Sequence, residues 1–541
     1  MLRPPHSNLR LRMGTTKVLE LDPRSIDAWG EHALPVAVAE LREWLVRDAS
    51  IPDLLAIQAA RRPDRVALRT AEAAVTYRQL TDRVARLAGW LTSHNVVRGD
   101  RVLIIGENSV EMVVACLATM WAGGVEVVAS PMATEREIRH LADDSGALVA
   151  LADRRSFALI DEPIRDAPAS LCFDDPEQRT ALRAVSRVPA PRMHGDELAA
   201  LQYTSGTTGR PKGAALTHAN LVAYLRSVHI AWRWTDSDVL LHSLPLAHGH
   251  GRNGVYTALL IGASSVVLPR TDPEALLNAL VSWGASILYA VPAIWDRLLS
   301  SPSFQPDAFA GLRLYTSGSA ALDPTLAKRV QRQLGKVPLE RYGATETGIV
   351  ATNPLDGPRI PGTVGRPMPG AEIRVMDEDG APLPDGEVGE IAVRGPSVFG
   401  GYWHQGSEGV STDGWYRTGD LGTFDPASNG YLRIVGRSRE MIISGGVNVY
   451  PREIEHAALE VPSVREVAVV GIPSSRWGEE VVMAVVPHDP LTFDKTELLK
   501  YLRAQLAAYK LPKRVRVVEV LPRNHMGKIS HKDLAHMWEG E

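Results

Sequence analysis

Cysteine is almost absent from this 541-residue chain, with Cys116 and Cys172 the only two. Neither sits in a metal-ligand spacing, so a reducing compartment and no structural zinc are the default expectation. Charge of one sign is not in excess either, because 59 basic against 63 acidic residues leave a net −4. That balance offers no polyanion-binding surface and argues against nucleic acid as a partner. There is no apolar run long enough to cross a bilayer, and Arg3, Arg10 and Arg12 are not followed by a signal-like apolar core. A soluble cytoplasmic protein is expected, with its oligomeric state open. No internal repeat of fixed period is apparent.

The chain is too long for one hydrophobic core to keep growing, so at least two domains are expected. Residues 1 to 33 are polar and aperiodic, while Leu34, Val38, Leu41 and Leu45 share one helical face. Residues 1–50 thus read as a tail and a docking helix. From Ile51, helical patterns such as Tyr77 to Leu91 alternate with apolar runs such as Val102 to Ile105 and Val125 to Ala129. This alternation predicts α/β layers. After Gly365 the runs shorten between Gly, Pro and Asp, which predicts a β-rich subdomain and closes a large domain of residues 51–436. Residues 437–541 read as a small α+β domain, with a helix opened by Pro451, strands at Val467 to Ile472 and Val481 to Val486, and a helix from Lys495 to Ala507.

The most informative segment is Tyr203-Thr204-Ser205-Gly206-Thr207-Thr208-Gly209-Arg210-Pro211-Lys212-Gly213. Its hydroxyls and glycines leave backbone N–H groups able to wrap a polyphosphate, and Lys212 supplies a mobile positive charge. It is not a Walker loop, because Lys212 is preceded by Pro211 and followed by Gly213. The apolar run Leu198 to Leu201 before it reads as a buried strand, and a helical pattern begins near Asn220. These residues mark an ATP-using enzyme.

Five segments together resemble the adenylate-forming superfamily of acyl-CoA synthetases, luciferases and peptide-synthetase adenylation domains. They are the run above, Arg341-Tyr342-Gly343-Ala344-Thr345-Glu346-Thr347-Gly348, Trp415-Tyr416-Arg417-Thr418-Gly419-Asp420-Leu421-Gly422, Gly436-Arg437-Ser438-Arg439-Glu440 and Pro522-Arg523-Asn524-His525-Met526-Gly527-Lys528-Ile529. They stand in the family's order from about Ile51 to the end of the chain.

The resemblance implies a layered α/β fold, a small mobile C-terminal domain, and a role for each matching residue. Thr204, Ser205, Gly206, Thr207, Thr208 and Lys212 would hold the β- and γ-phosphates, and Thr345 the α-phosphate. Glu346 would ligate Mg²⁺, a cation that commonly takes only one or two protein carboxylates beside phosphate oxygens and water. Tyr342 and Gly343 would line one side of the adenine, with Gly318, Ser319 and Ala320 opposite. Asp420, an acceptor-only side chain when ionised, would take the ribose hydroxyls, and Arg437 would reach ribose and phosphate. Lys528 would neutralise charge that concentrates on the attacking carboxylate and α-phosphate. Arg439 occupies the hinge position, where relatives often carry Asp or Lys. Gly445 and Gly446 would line the CoA tunnel, where a side chain at Gly446 would block entry.

The substrate is marked less sharply. Leu339-Glu340-Arg341-Tyr342-Gly343, Asn353 to Arg359, Gly362-Thr363-Val364-Gly365 and Pro522-Arg523-Asn524 to Met526-Gly527-Lys528 look most like malonyl-CoA synthetases, which act on a small dianion. A second carboxylate demands a fixed cation, preferably Arg. Arg313, and less surely Arg270, are candidates by position. His248, counted also among the catalytic residues, and His250 match the family. Ala247 stands where relatives usually carry an aromatic, and Arg252 where they carry an aliphatic residue. Arg252 and Asn253 therefore join the candidate pocket. The leading expectation is a ligase using ATP, Mg²⁺ and CoA on a small acid. The alternatives are an adenylating enzyme with an amine or carrier-thiol acceptor, including activation of nitrite for diazotisation, and a non-catalytic nucleotide-binding regulator.

Overall fold

The computed structural model describes residue 29 and residues 43–147, 149–160, 170–204, 211–269, 272–407, 409–444, 447–474, 477–523 and 529–538. Among these, continuous apolar runs form parallel strands buried on both faces, as such runs must in an α/β layer. Arg101–Ile105 and Val125–Ala129 pair in parallel within a six-stranded sheet ordered Leu171–Cys172, Val149–Ala152, Arg101–Ile105, Val125–Ala129, Leu198–Thr204, Lys212–Thr217. A nine-stranded sheet has a parallel centre running Leu339–Ala344, Leu314–Ser317, Ile287–Ala290, Val239–His242, Ser264–Val267, Val66–Arg69. Antiparallel strands Gly348–Thr352 and Arg366–Pro367 extend one edge, and Ala74–Thr76 the other.

Helices cover these sheets for local reasons. Tyr77–Ser93 begins at Thr76, whose side chain and that of Gln79 form a reciprocal cap, and it buries Tyr77, Leu80, Val84, Leu87 and Leu91 along one stripe. Val110–Trp121 is apolar on every side and buried throughout except at Glu111. A four-stranded antiparallel sheet, Glu372–Met376 to Tyr431–Arg437, is the anticipated β-rich part.

A small C-terminal domain has its own five-stranded sheet, in which Val464–Ser474 pairs with Gly478–Pro487 and parallel Arg514–Val517 flanks the latter. Its cores, around Val469 and Met483 on one face and Val470 and Val482 on the other, are separate from those of the large domain. The result is a mixed α/β chain with a large N-terminal and a small C-terminal domain.

The antiparallel strands Leu198–Thr204 and Lys212–Thr217 flank the phosphate-loop segment, and the helical pattern expected near Asn220 is the helix His218–Trp232, capped by Thr217. Lys212-Gly213 gives no local strand signal; the pairing comes from the preceding strand. Of the four residues assigned to the docking helix, Leu45 is described and is buried, while Leu34, Val38 and Leu41 lie outside the described residues. Trp29 is also buried. Its indole donates to Pro367 O at 2.9 Å and lies beneath the Arg366 guanidinium, at 4.1 Å, covering the edge strand.

Candidate active site

The site residues gather at the carboxyl ends of the nine-stranded sheet's parallel strands, where open α/β sheets bind their ligands. Leu314–Ser317 delivers Gly318, Ser319 and Ala320, and Leu339–Ala344 delivers Tyr342, Gly343, Thr345 and Glu346. Gly343 admits no side chain, since a Cβ there would fall 2.0 Å from Gly348 O across a tight hairpin. Ser319 has a left-handed backbone, φ +64°, and its hydroxyl is 2.6 Å from His250 Nδ1. A strained non-glycine conformation at such a place is typical of functional sites.

Opposite, the four-stranded sheet presents Asp420. Its Oδ2 accepts from the Tyr342 hydroxyl at 2.7 Å, and Arg437, its neighbour in strand register, places Nε 3.1 Å from Oδ1. Burial pushes the Tyr342 hydroxyl well above its ordinary value, so it remains a donor. Glu346 is nearly buried, and its Oε1 accepts from the Tyr402 hydroxyl at 2.8 Å. The Lys212 ammonium lies 5.3 Å from the same tyrosine ring. Thr204 ends the strand before the phosphate segment. Ser205, Gly206, Thr207, Thr208, Arg270, Gly445, Gly446 and Lys528 lie outside the described residues. Arg439 falls in the short turn Ser438–Glu440 between the last strand of the large domain and the first of the small one.

The helix Gly249–Ile261 starts after His248, and its His250 faces a residue not assigned to the pocket from the sequence. Arg341, 7% exposed, brings Nη2 to 3.1 Å from His250 Nδ1, and its guanidinium lies over Tyr289 at 5.4 Å and Trp232 at 5.9 Å. No carboxylate among the described residues pairs with it, and its Nε has no hydrogen-bond partner. Because a guanidinium only donates, His250 Nδ1 is the acceptor and the ring proton resides on Nε2. That Nε2 is buried and unpartnered as well. Burial, with Arg341 beside it, holds the His250 pKa well below its usual range, and burial pushes His242 down to about 4. Both rings are held neutral, so among the described residues packed around Arg341 here neither His242 nor His250 adds a second charge to its guanidinium.

Two assigned arginines are held elsewhere. Arg252, 2% exposed, gives Nε to Glu126 Oε1 at 2.7 Å and Nη1 to Leu246 O at 2.8 Å. Two helical positions beyond His250, it is about 200° around the axis and points to the six-stranded sheet rather than the pocket. Asn253 shares the His250 face, one turn on, and its Oδ1 is buried without a partner. Arg313 precedes its strand and grips Asp238 at 2.8 and 2.6 Å and Trp232 O at 2.9 Å. It is therefore at the opposite end of the strand from Ser317. Arg341 was legible in principle, since an arginine near the carboxyl end of an otherwise buried strand faces either a partner or a ligand.

Residues 55–403 match the family model of the AMP-binding enzymes, and residues 453–528 that of the AMP-binding enzyme C-terminal domain. The chain is 37% identical over 514 residues to indoleacetate–CoA ligase of Aromatoleum aromaticum, covering 92% of this chain and 98% of that protein. It is 34% identical to mitochondrial malonate–CoA ligase of Mus musculus, with 90% of each covered. The fold superposes on ATP-bound MatB from Rhodopseudomonas palustris with a TM-score of 0.85 at 37% identity, covering 91% of this chain and 99% of that one. By these matches the chain belongs to the AMP-binding enzymes, the adenylate-forming superfamily, on its branch of AMP-forming acid–CoA ligases.

Proposed function

We propose that this enzyme makes the CoA thioester of a small dicarboxylic acid through its acyl adenylate, with malonate the simplest candidate. The observation that carries the reading is Arg341, a buried guanidinium with no carboxylate partner among the described residues, beside the unpartnered Nε2–H of His250. A buried cation without a counter-ion is costly unless a ligand supplies one. A second carboxylate on the acid fits that need, with bidentate geometry available at the guanidinium. A simple fatty acid leaves the cation stranded. The name of the malonate–CoA ligase relative agrees with this choice.

In this reading the acid's other carboxylate attacks the α-phosphate of ATP, expelling pyrophosphate, and CoA thiol then displaces AMP. Thr204, Ser205, Gly206, Thr207, Thr208 and Lys212 hold the phosphates, and Tyr342, Gly343, Gly318, Ser319 and Ala320 frame the adenine. Asp420 and Arg437 take the ribose, Thr345 the α-phosphate, and His248 lies at the reacting end of the acid. Lys528 stabilises the transition state. Glu346 suits Mg²⁺, since Tyr402 occupies one carboxylate oxygen and leaves the other without a protein donor among the described residues. A Mg²⁺ held there would supply positive charge toward the departing pyrophosphate. Arg439 is the hinge about which residues 437–541 turn between half-reactions, bringing Gly445 and Gly446 to the CoA tunnel.

ATP–pyrophosphate exchange across malonate, methylmalonate, fatty acids, indoleacetate and nitrite, each with and without CoA, tests the proposal. Dicarboxylates should exchange fastest and yield thioester. Faster exchange with indoleacetate or nitrite overturns the assignment to Arg341, and exchange that never yields thioester overturns CoA as acceptor.

A further inference from the structure

The turn that carries His248 and His250 into the pocket has no regular structure between Ser243 and His248. Its central peptide is instead gripped from both sides. Asn108 Oδ1 accepts from Leu246 N at 2.8 Å, while its Nδ2 donates to Leu244 O at 2.8 Å and Leu268 O at 3.1 Å. From the other side, Arg252 Nη1 donates to Leu246 O at 2.8 Å and Ala247 O at 3.4 Å. Arg252 is fixed in turn by Glu126, 0% exposed, whose Oε2 accepts from Tyr256 at 2.8 Å.

Glu126 lies in the strand Val125–Ala129 of the six-stranded sheet, while Arg252 lies in a helix packed on the nine-stranded one. The pair thus joins the two layers under the turn. The fit is close, for a Cβ on Gly251 would fall 2.3 Å from Pro245 O.

Stability does not require an ion pair here. Desolvating two charges is expensive, and a well-packed apolar pair of similar volume is often as stable or more so. What an apolar pair cannot do is hold the carbonyls of Leu246 and Ala247 in one orientation. We propose that Glu126 and Arg252 are positioning residues for adenylation: through those two carbonyls they set the direction in which the turn presents His248 and His250 to the acid. The proposal rests on the reading of the Arg341 pocket as the acid site.

The test removes the charges without leaving one stranded, in the variant Glu126→Leu/Arg252→Met/Tyr256→Phe. The expected enzyme melts near the parent temperature and keeps its KM for ATP within about twofold. Its kcat for acid-dependent pyrophosphate exchange falls about 10- to 100-fold, the loss that a misplaced reacting group produces. Arg252→Lys, which keeps the charge on Glu126 but reaches fewer carbonyls, should lie between the two. A folded triple variant exchanging within about twofold of the parent overturns the proposal, as does an ATP KM that rises in step with the loss of turnover. If the triple variant fails to fold, Arg252→Lys decides alone, and an unchanged kcat there overturns it. Arg341→Leu serves as the separate control: an unchanged acid KM in that variant removes the pocket reading, whatever the clamp variants do.

Discussion

The Tyr342 hydroxyl donates to Asp420 Oδ2 at 2.7 Å, tying the nine-stranded sheet to the four-stranded sheet across the proposed nucleotide site. The bond orients the carboxylate proposed to receive the ribose, while Arg437 holds its other oxygen. Tyr342→Phe keeps the ring and removes only this donor. A hydrogen bond to a charged group contributes about 1.5–3 kcal/mol, so the KM for ATP should rise about 10-fold or somewhat more. The KM for the acid should stay within about twofold. Steady-state kinetics with each substrate varied in turn check this, and an unchanged ATP KM would remove Tyr342 from the ribose site.

Arg341 and Arg313 separate recognition from architecture. Arg341→Leu should raise the KM of the preferred dicarboxylate at least ~10-fold and leave that of ATP near the parent value, because one charge-assisted contact is lost. Arg313→Leu should leave both KM values unchanged. It strands Asp238, whose side chain is 3% exposed, while Arg313 itself is 32% exposed. Breaking a fully buried pair costs about 3–5 kcal/mol, and solvent at Arg313 reduces this to about 2. A lowered melting temperature with intact kinetics is the expected signature. The opposite pattern, an acid KM that responds to Arg313 and not to Arg341, would return Arg313 to the pocket.

Much of the fold and the family membership was legible because their signals are local. Val125–Ala129, apolar but for Glu126, lies between turns, and the observed strand has those bounds. The nucleotide segments are contiguous strings whose spacing survives without knowledge of the fold. The acid pocket is different, because the direction of a side chain depends on strand alternation and helical phase. Arg252 and Arg341 read alike as cations near a motif, yet one meets Glu126, 126 residues away in sequence, and the other meets no carboxylate among the described residues. Arg313 likewise finds Asp238 75 residues away. No local pattern announces such partners.

Glu340, beside Arg341 in sequence, ties stability to pH. Burial pushes its carboxyl up to about 8, although Gly362 N at 3.3 Å works in the other direction. In the unfolded chain the carboxyl titrates near its ordinary value of about 4.3. Between these values the folded state holds a proton that the unfolded state has lost. This contribution is therefore complete below about pH 4 and is lost as pH rises to about 8, at about 1.4 kcal/mol per pH unit. Glu340→Gln imitates the neutral acid and removes the slope. Melting curves from about pH 6 to 9 should show the parent losing ground to the variant until about pH 8, with a constant gap beyond. Parallel curves across the range would mean that Glu340 is already ionised in the folded protein.

Lys528 is assigned from its Pro-Arg-Asn-His-Met-Gly-Lys context alone, so its removal is the sharpest check on the sequence reading. An ammonium between the attacking carboxylate and the α-phosphate acts where charge concentrates during transfer, and contributes little to the ground state in which ATP is held by other groups. Lys528→Ala should therefore bind ATP nearly as the parent does while pyrophosphate exchange falls roughly 10²–10³-fold, equivalent to about 2.7–4 kcal/mol. Thioester formation from a synthetic acyl adenylate should survive, because in the proposed domain rotation Lys528 has left the site by then. Calorimetric ATP binding, exchange rates and thioester synthesis from preformed adenylate separate the steps. Equal loss in both half-reactions would show that the substitution disturbs the small domain as a whole, and undiminished exchange would mean that another residue stabilises the transition state.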